Sequence, residues 1–174
     1  MAYLIEPINP RHDVRLFTCT HKPLESFLKR FALGNSTNHL GKTYVLTQNQ
    51  SNEVLGYYTV SAYGASRDSM PDKELLPRYD LLPALLLGRL AVRSDLMKRG
   101  LGRLLMGHVF EQAWATANRV GVYLLAVDAK DEPAKEFYMH QGFAEFNDDP
   151  LHLFIPMTSI GRMVAPASPN GNNN

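Results

Sequence analysis

The chain has 174 residues with 18 lysines and arginines against 17 aspartates and glutamates, so its formal net charge of +1 commits it to neither nucleic acid nor lipid as a whole. An apolar fraction of 45% and a charged fraction of 20% are ordinary for a globular protein and exclude a disordered chain or a disulfide scaffold. The length fits one domain, and no stretch approaches the ~18 consecutive apolar residues of a membrane span, because the longest, 81–92, contains Pro83 and Arg89.

The start, Met1-Ala2-Tyr3-Leu4-Ile5-Glu6, lacks the charged segment and apolar run of a signal peptide, which gives the expectation of a cytoplasmic protein. Cys19 stands alone and fits a reducing compartment. Within Phe17-Thr18-Cys19-Thr20 it reads as a small core residue rather than a nucleophile, since nothing nearby activates a thiolate. From His21 to Gly34, the residues Leu24, Phe27, Leu28 and Phe31 recur at helical spacing, with Pro23 suited to the first turn and Gly34 to the stop.

Two strands are predicted at Thr43–Thr47 and Val54–Tyr63, joined as a hairpin by the turn-rich segment 48–52. Between Ser66 and Pro83 three prolines predict an irregular excursion, after which Ala84–Val92 reads as a buried strand. Gly100–Asn118 has the composition of a helix, Val122–Val127 of an apolar strand, Glu132–Gln141 of a short helix and Leu151–Ile155 of a last strand. The predicted order is β-α-β-β-β-α-β-α-β. It implies one α/β domain over 1–160, a mixed twisted sheet flanked by helices on both faces, with 161–174 as a flexible tail.

The chemistry concentrates in two segments. Leu87-Gly88-Arg89-Leu90-Ala91-Val92 is followed by Arg93 to Arg99 and then by Gly100-Leu101-Gly102-Arg103-Leu104-Leu105, in the order strand, loop, helix. Glycines at a helix start let backbone approach a phosphate, and the free N–H groups of the first turn with the helix dipole stabilise negative charge. A dinucleotide fingerprint would need a third glycine where Leu105 stands, and Gly41-Lys42-Thr43 lacks the first glycine and the helix of a P-loop. The second segment is Ala134-Lys135-Glu136-Phe137-Tyr138-Met139-His140-Gln141-Gly142-Phe143.

In these two motifs the chain resembles the GNAT family of acetyl-CoA-dependent N-acetyltransferases, whose pyrophosphate loop corresponds to Met97-Lys98-Arg99-Gly100-Leu101-Gly102. Met97 stands where the family carries a polar residue, and Asp131 where many members carry asparagine. The segments Pro23-Leu24, Gly41 to Leu46, Gly56 to Thr59 and His152 to Met157 are similar to the branch that contains toxins of toxin-antitoxin pairs, so the resemblance covers nearly the whole chain.

The resemblance implies acetyl-CoA as acetyl donor, with Leu90, Ala91 and Val92 pairing to its pantetheine arm. Lys98, Arg99, Gly100, Leu101, Gly102, Arg103 and Leu104 would hold its pyrophosphate, and Ala134 and Phe137 would line the cofactor. Tyr138 is then the catalytic residue, a phenol that protonates the departing thiolate. Arg89 lies inside an apolar strand, where a charge is costly unless paired or facing a cleft, so it either positions substrate or pairs with an acid. No carboxylate occurs between Ala84 and Val92, and water is left to take the amine proton.

The six histidines lack metal-ligand spacing and read as scattered surface or capping residues, so no metal is implied. Three functions remain open: acetylation of the α-amine of aminoacyl-tRNA by a toxin with a ribbon-helix-helix antitoxin; a metabolic or protein N-acetyltransferase; and a catalytically silent acyl-CoA-binding protein. Intact Tyr138 argues against the last. No membrane is implied, and a homodimer is compatible with each.

Overall fold

Antiparallel strand pairing organises each of two compact units. The structure, a computed structural model, describes residues 2–165; of the tail expected over 161–174, residues 166–174 lie outside the described residues. The units are Met1–Gly64 with Leu85–Val109, and Ala65–Ala84 with the residues from Phe110 onward.

In the first unit, strand β1 (Tyr3–Pro7) pairs antiparallel with β2 (Lys42–Gln48), placing Tyr3 opposite Gln48 and Pro7 opposite Tyr44. The predicted hairpin is present: β2 pairs antiparallel with β3 (Val54–Ser66), Val45 facing Tyr57 and Tyr44 facing Tyr58, with a bulge between Leu46 and Thr47. Facing hydroxyls of Thr43 and Thr59 lie 2.8 Å apart, which satisfies two buried polar groups at once.

The helix expected over 21–34 is instead two, α1 (Lys22–Arg30) and α2 (Ala32–Thr37), broken at Phe31, whose φ of −124° departs from helical backbone. Gly34, the expected stop, lies inside α2. The chain stops at His39, which takes a left-handed φ of 60° while its N–H bonds the Ser36 carbonyl and that of Leu40 bonds the Asn35 carbonyl. This is a Schellman ending, with histidine where glycine is usual.

Phe27 and Leu28 on α1 are buried with Phe17, Cys19, Val45, Val54, Tyr57 and Ala91 in one apolar cluster. Cys19 is a core residue, as expected. Its thiol donates to the His21 carbonyl at 3.0 Å.

The excursion from 66 to 83 holds single 3-10 turns at Arg67–Ser69 and Lys73–Leu75, but it is shorter than expected because β4 spans Leu81–Val92. Pro83 near the start of β4 does not exclude a strand, since a proline there forfeits only its own N–H; its carbonyl accepts from Tyr123 at 2.7 Å. Helix α3 (Leu101–Ala117) matches its expected span to within a residue at each end.

In the second unit, β5 (Leu124–Asp128) pairs antiparallel with β7 (His152–Pro156), which in turn pairs with the two-residue β6 (Ala144–Glu145). Helix α5 (Met157–Val164) follows β7. Residues 161–164 of the expected tail are therefore helical. The strand order is β1-β2-β3-β4 in the first unit and β4-β5-β7-β6 in the second, an α/β architecture with a mixed sheet and, among the described residues, five α-helices. None of those helices is long and apolar enough to cross a membrane.

Helix α4 (Glu132–His140) has a defined start and stop. The Asp131 carboxylate accepts from the Ala134 N–H at 2.9 Å, and Pro lies in the first turn. At the other end Gly142 takes φ +105°, its N–H bonding the Met139 carbonyl and that of Phe143 bonding the Tyr138 carbonyl. The chain reversal folds the Phe143 ring edge-on against Tyr138, with centroids 5.6 Å apart. A Cβ added at Gly142 would sit 3.4 Å from Ile155, so space is available and only the backbone conformation resists it. Gly142→Ala is therefore expected to destabilise the fold by about 1–2 kcal/mol, read as a lower urea midpoint at unchanged slope; an unchanged midpoint would remove the helix-stop role.

Candidate active site

The end of β4 and the start of α3 bring the first set of predicted residues together. Leu90 and Val92 are half-buried around the buried Ala91. A 3-10 turn at Ser94–Leu96 follows, and then the backbone reverses through left-handed conformations at Lys98 (φ 61°) and Gly100 (φ 83°). Gly100 is the last residue before the helix, and its carbonyl accepts the N–H of Leu104 at 3.1 Å.

The N–H groups of Leu101, Gly102 and Arg103 come before the first intrahelical donor, the Leu104 N–H, so they project from the helix start with the positive end of its dipole. Buried Leu101 anchors this turn, whereas Lys98, Arg99, Arg103 and Leu104 are exposed. Such a turn suits a polyanion, and its charges stand on the residues singled out in the sequence.

Packing in the first unit depends on a glycine that sequence reasoning did not single out for its space. A Cβ on Gly56 of β3 would lie 3.1 Å from the Leu105 side chain and 3.2 Å from the Ala91 carbonyl. A side chain here would require Leu105 or the Ala91 carbonyl to give way by a few tenths of an ångström, so glycine suits this close approach of β3 to the first turns of α3. Further along α3, His108 Nδ1 lies 2.8 Å from the Tyr58 hydroxyl and its ring stands edge-on to Tyr44.

His108 is thus not a surface residue as the sequence suggested, and two other histidines depart in the same way. His12, with a side chain 2% exposed, accepts the Asn9 N–H at Nδ1 and faces Glu6 with Nε2, and His152 lies between Asp148 and the ring of Phe146. His21 and His39 do occupy helix ends.

Arg89 points to aromatics. Its guanidinium carbon is 3.6 Å from the centroid of the Phe27 ring, and Phe27 stacks in turn on Tyr57. The Tyr57 hydroxyl donates to the Leu24 carbonyl at 2.6 Å, and burial pushes that phenol well above its usual range. Among the described residues no carboxylate pairs with Arg89, so the acid partner left open by the sequence is not found; a cation–π contact takes its place.

The second set of predicted residues stands on α4. Ala134 and Phe137 are half-buried, and Tyr138 is buried with 6% of its surface exposed. Phe137 and Phe143 both meet its ring edge-on, at 5.3 and 5.6 Å, which fixes its plane. Burial pushes the Tyr138 phenol well above its ordinary pKa, because the phenolate would lose hydration. Tyr138 therefore keeps its proton at neutral pH.

The chain matches the acetyltransferase (GNAT) domain model over residues 39–145, more than half its length. It is 28% identical over 157 residues to the tRNA-acetylating toxin of Mycobacterium tuberculosis, an alignment covering 90% of this chain and 93% of that relative. Among solved structures it is similar to AtaT complexed with acetyl-methionyl-tRNAfMet, with 29% identity and a TM-score of 0.86 over 93% of this chain and 99% of that one. It is also similar to a mutant AtaT toxin bound to the C-terminus of the antitoxin AtaR and acetyl-CoA, with 26% identity and a TM-score of 0.80 over 95% and 100%. The helix-start turn at Gly100, the capped helix carrying Tyr138 and the family match agree: the chain belongs to the GNAT acetyltransferase family.

Proposed function

We propose that this protein transfers the acetyl group of acetyl-CoA to the α-amine of aminoacyl-tRNA, and that it is the toxin of a toxin-antitoxin pair. The observation that carries this reading is the near full-length similarity to a tRNA-acetylating toxin and to AtaT in complex with an acetylated aminoacyl-tRNA. The similarity to AtaT bound to AtaR and acetyl-CoA supports the donor and an antitoxin partner.

The residues divide the work. Leu90, Ala91 and Val92 offer backbone pairing to the pantetheine arm. The turn from Lys98 to Leu104 takes the pyrophosphate on its free N–H groups and cations, and Ala134 and Phe137 line the donor. The amine nitrogen attacks the thioester carbonyl, its proton leaves to water, and the tetrahedral intermediate expels the CoA sulfur as the C–S bond breaks. Tyr138 gives its phenolic proton to that thiolate, a role supported by its buried, protonated state. Arg89, unpaired by any described carboxylate, positions the acceptor.

Two measurements test the reading. Tyr138→Phe should keep acetyl-CoA affinity while turnover falls roughly 10²–10⁴-fold, the usual range for a positioned general acid; equal loss of binding and rate would mean that the ring only packs. Acetylation of aminoacyl-tRNA should weaken steeply as salt rises, because phosphate contacts release counterions, whereas a small neutral amine should show little such dependence. Efficient acetylation of a free amine with no transfer to charged tRNA at low salt would replace this acceptor with a metabolite or protein.

A further inference from the structure

Arg93 opens the segment that joins β4 to α3, and its surroundings differ from those of the exposed Lys98 and Arg99. Its backbone N–H bonds the Leu55 carbonyl at 2.9 Å, and its side chain is only 16% exposed. Nε and Nη2 donate to the two carboxylate oxygens of Asp95 at 2.6 and 3.0 Å, while Nη1 donates to Glu53, the residue just before β3. The Arg93 guanidinium holds the Asp95 carboxyl below its usual range, and Asp95 is the main cause of the raised Arg93 pKa.

The anchor points are themselves tied down. Glu53 forms a β-bridge with Asp13, Val54 donates to the Asp13 carbonyl at 3.0 Å, and Ser94 reaches the Thr18 carbonyl through both its N–H and its hydroxyl. A guanidinium shared by two carboxylates has little charge left for a phosphate, so Arg93 does not belong to a basic contact surface. Its place in the chain suggests another task. The next turn leads straight to Lys98, a non-glycine residue with left-handed backbone, and such a conformation persists only where the surrounding structure over-determines it.

We infer that Arg93 is a positioning residue for the acetyl donor: its bridge to Glu53 and Asp95 fixes the turn at Ser94–Leu96, and thereby the presentation of the amides at the start of α3, without touching the donor. The inference rests on assigning residues 98–104 to the pyrophosphate. Arginine suits this task because its planar fork satisfies two carboxylates at once, which the point charge of lysine does not.

The test is steady-state kinetics of the full chain carrying R93A, R93K or E53Q, with acetyl-CoA and aminoacyl-tRNA varied separately; E53Q covers the case in which R93A folds poorly. R93A should raise KM for acetyl-CoA about tenfold, the equivalent of losing one charged hydrogen bond, with kcat at saturating donor within about twofold. E53Q should raise it less, R93K should recover part of the loss, and the KM for aminoacyl-tRNA and its salt dependence should not move. An unchanged donor KM in both R93A and E53Q overturns the inference, as does a rise confined to the aminoacyl-tRNA KM with a flatter salt dependence, which would make Arg93 a nucleic-acid contact. Calorimetric titration of G100V with acetyl-CoA separates the two levels of the argument. Normal affinity there removes the loop assignment itself, whereas lost affinity there with an unchanged donor KM in R93A removes only the role of Arg93.

Discussion

A polyanion can be held by backbone only if several N–H groups point outward from one turn with no protein acceptor of their own. In this chain that condition is met where β4 gives way to α3. The backbone must leave an extended strand, reverse twice through left-handed conformations at Lys98 and Gly100, and enter a helix whose first amides remain open. Glycine accepts this at little cost at one of the two points. At Lys98 the conformation costs on the order of 1–3 kcal/mol and has to be held by neighbours, among them buried Leu101 and the ion-paired turn before it. Gly56 contributes from β3 by allowing close approach to Leu105 and the Ala91 carbonyl.

The second constraint is electrostatic. Tyr138 is surrounded by apolar surface and aromatic edges, so its phenolate is disfavoured and the hydroxyl stays protonated across the neutral range. The proton is therefore held on the Tyr138 oxygen rather than released to solvent. The same helix ending that stops α4 at Gly142 brings Phe143 onto the Tyr138 ring, so the Gly-Phe pair downstream of the tyrosine is a packing device as well as a turn. No carboxylate stands on β4.

Much of this was legible in the sequence, for identifiable reasons. Strand and helix spans around the glycine turn follow from local periodicity, and α3 and α4 begin and end within a residue of their expected bounds, α4 because Asp131 and Gly142 encode its start and stop. The break at Phe31 was hidden because 21–34 keeps one apolar stripe through it. Two-residue β6 is too short to show alternation, while α5 carries a signal in Met157 and Ile160 at helical spacing, and only its last turn falls in the segment expected as a tail. Side-chain partners were least legible. Arg93 meets Glu53 forty positions earlier in the chain, and His108 meets Tyr58 fifty earlier, so neither neutralised arginine nor half-buried histidine could be read locally.

The central claim is that the acetyl acceptor is the α-amine of an amino acid esterified to tRNA. It is tested most directly by incubating the purified chain with labelled acetyl-CoA and bulk charged tRNA, releasing the amino acids by mild base, and locating the label by mass spectrometry. The account predicts N-acetylated amino acids released from tRNA, absent when uncharged tRNA is used. Label found only on free amines or protein, with the aminoacyl fraction unmodified, would contradict it.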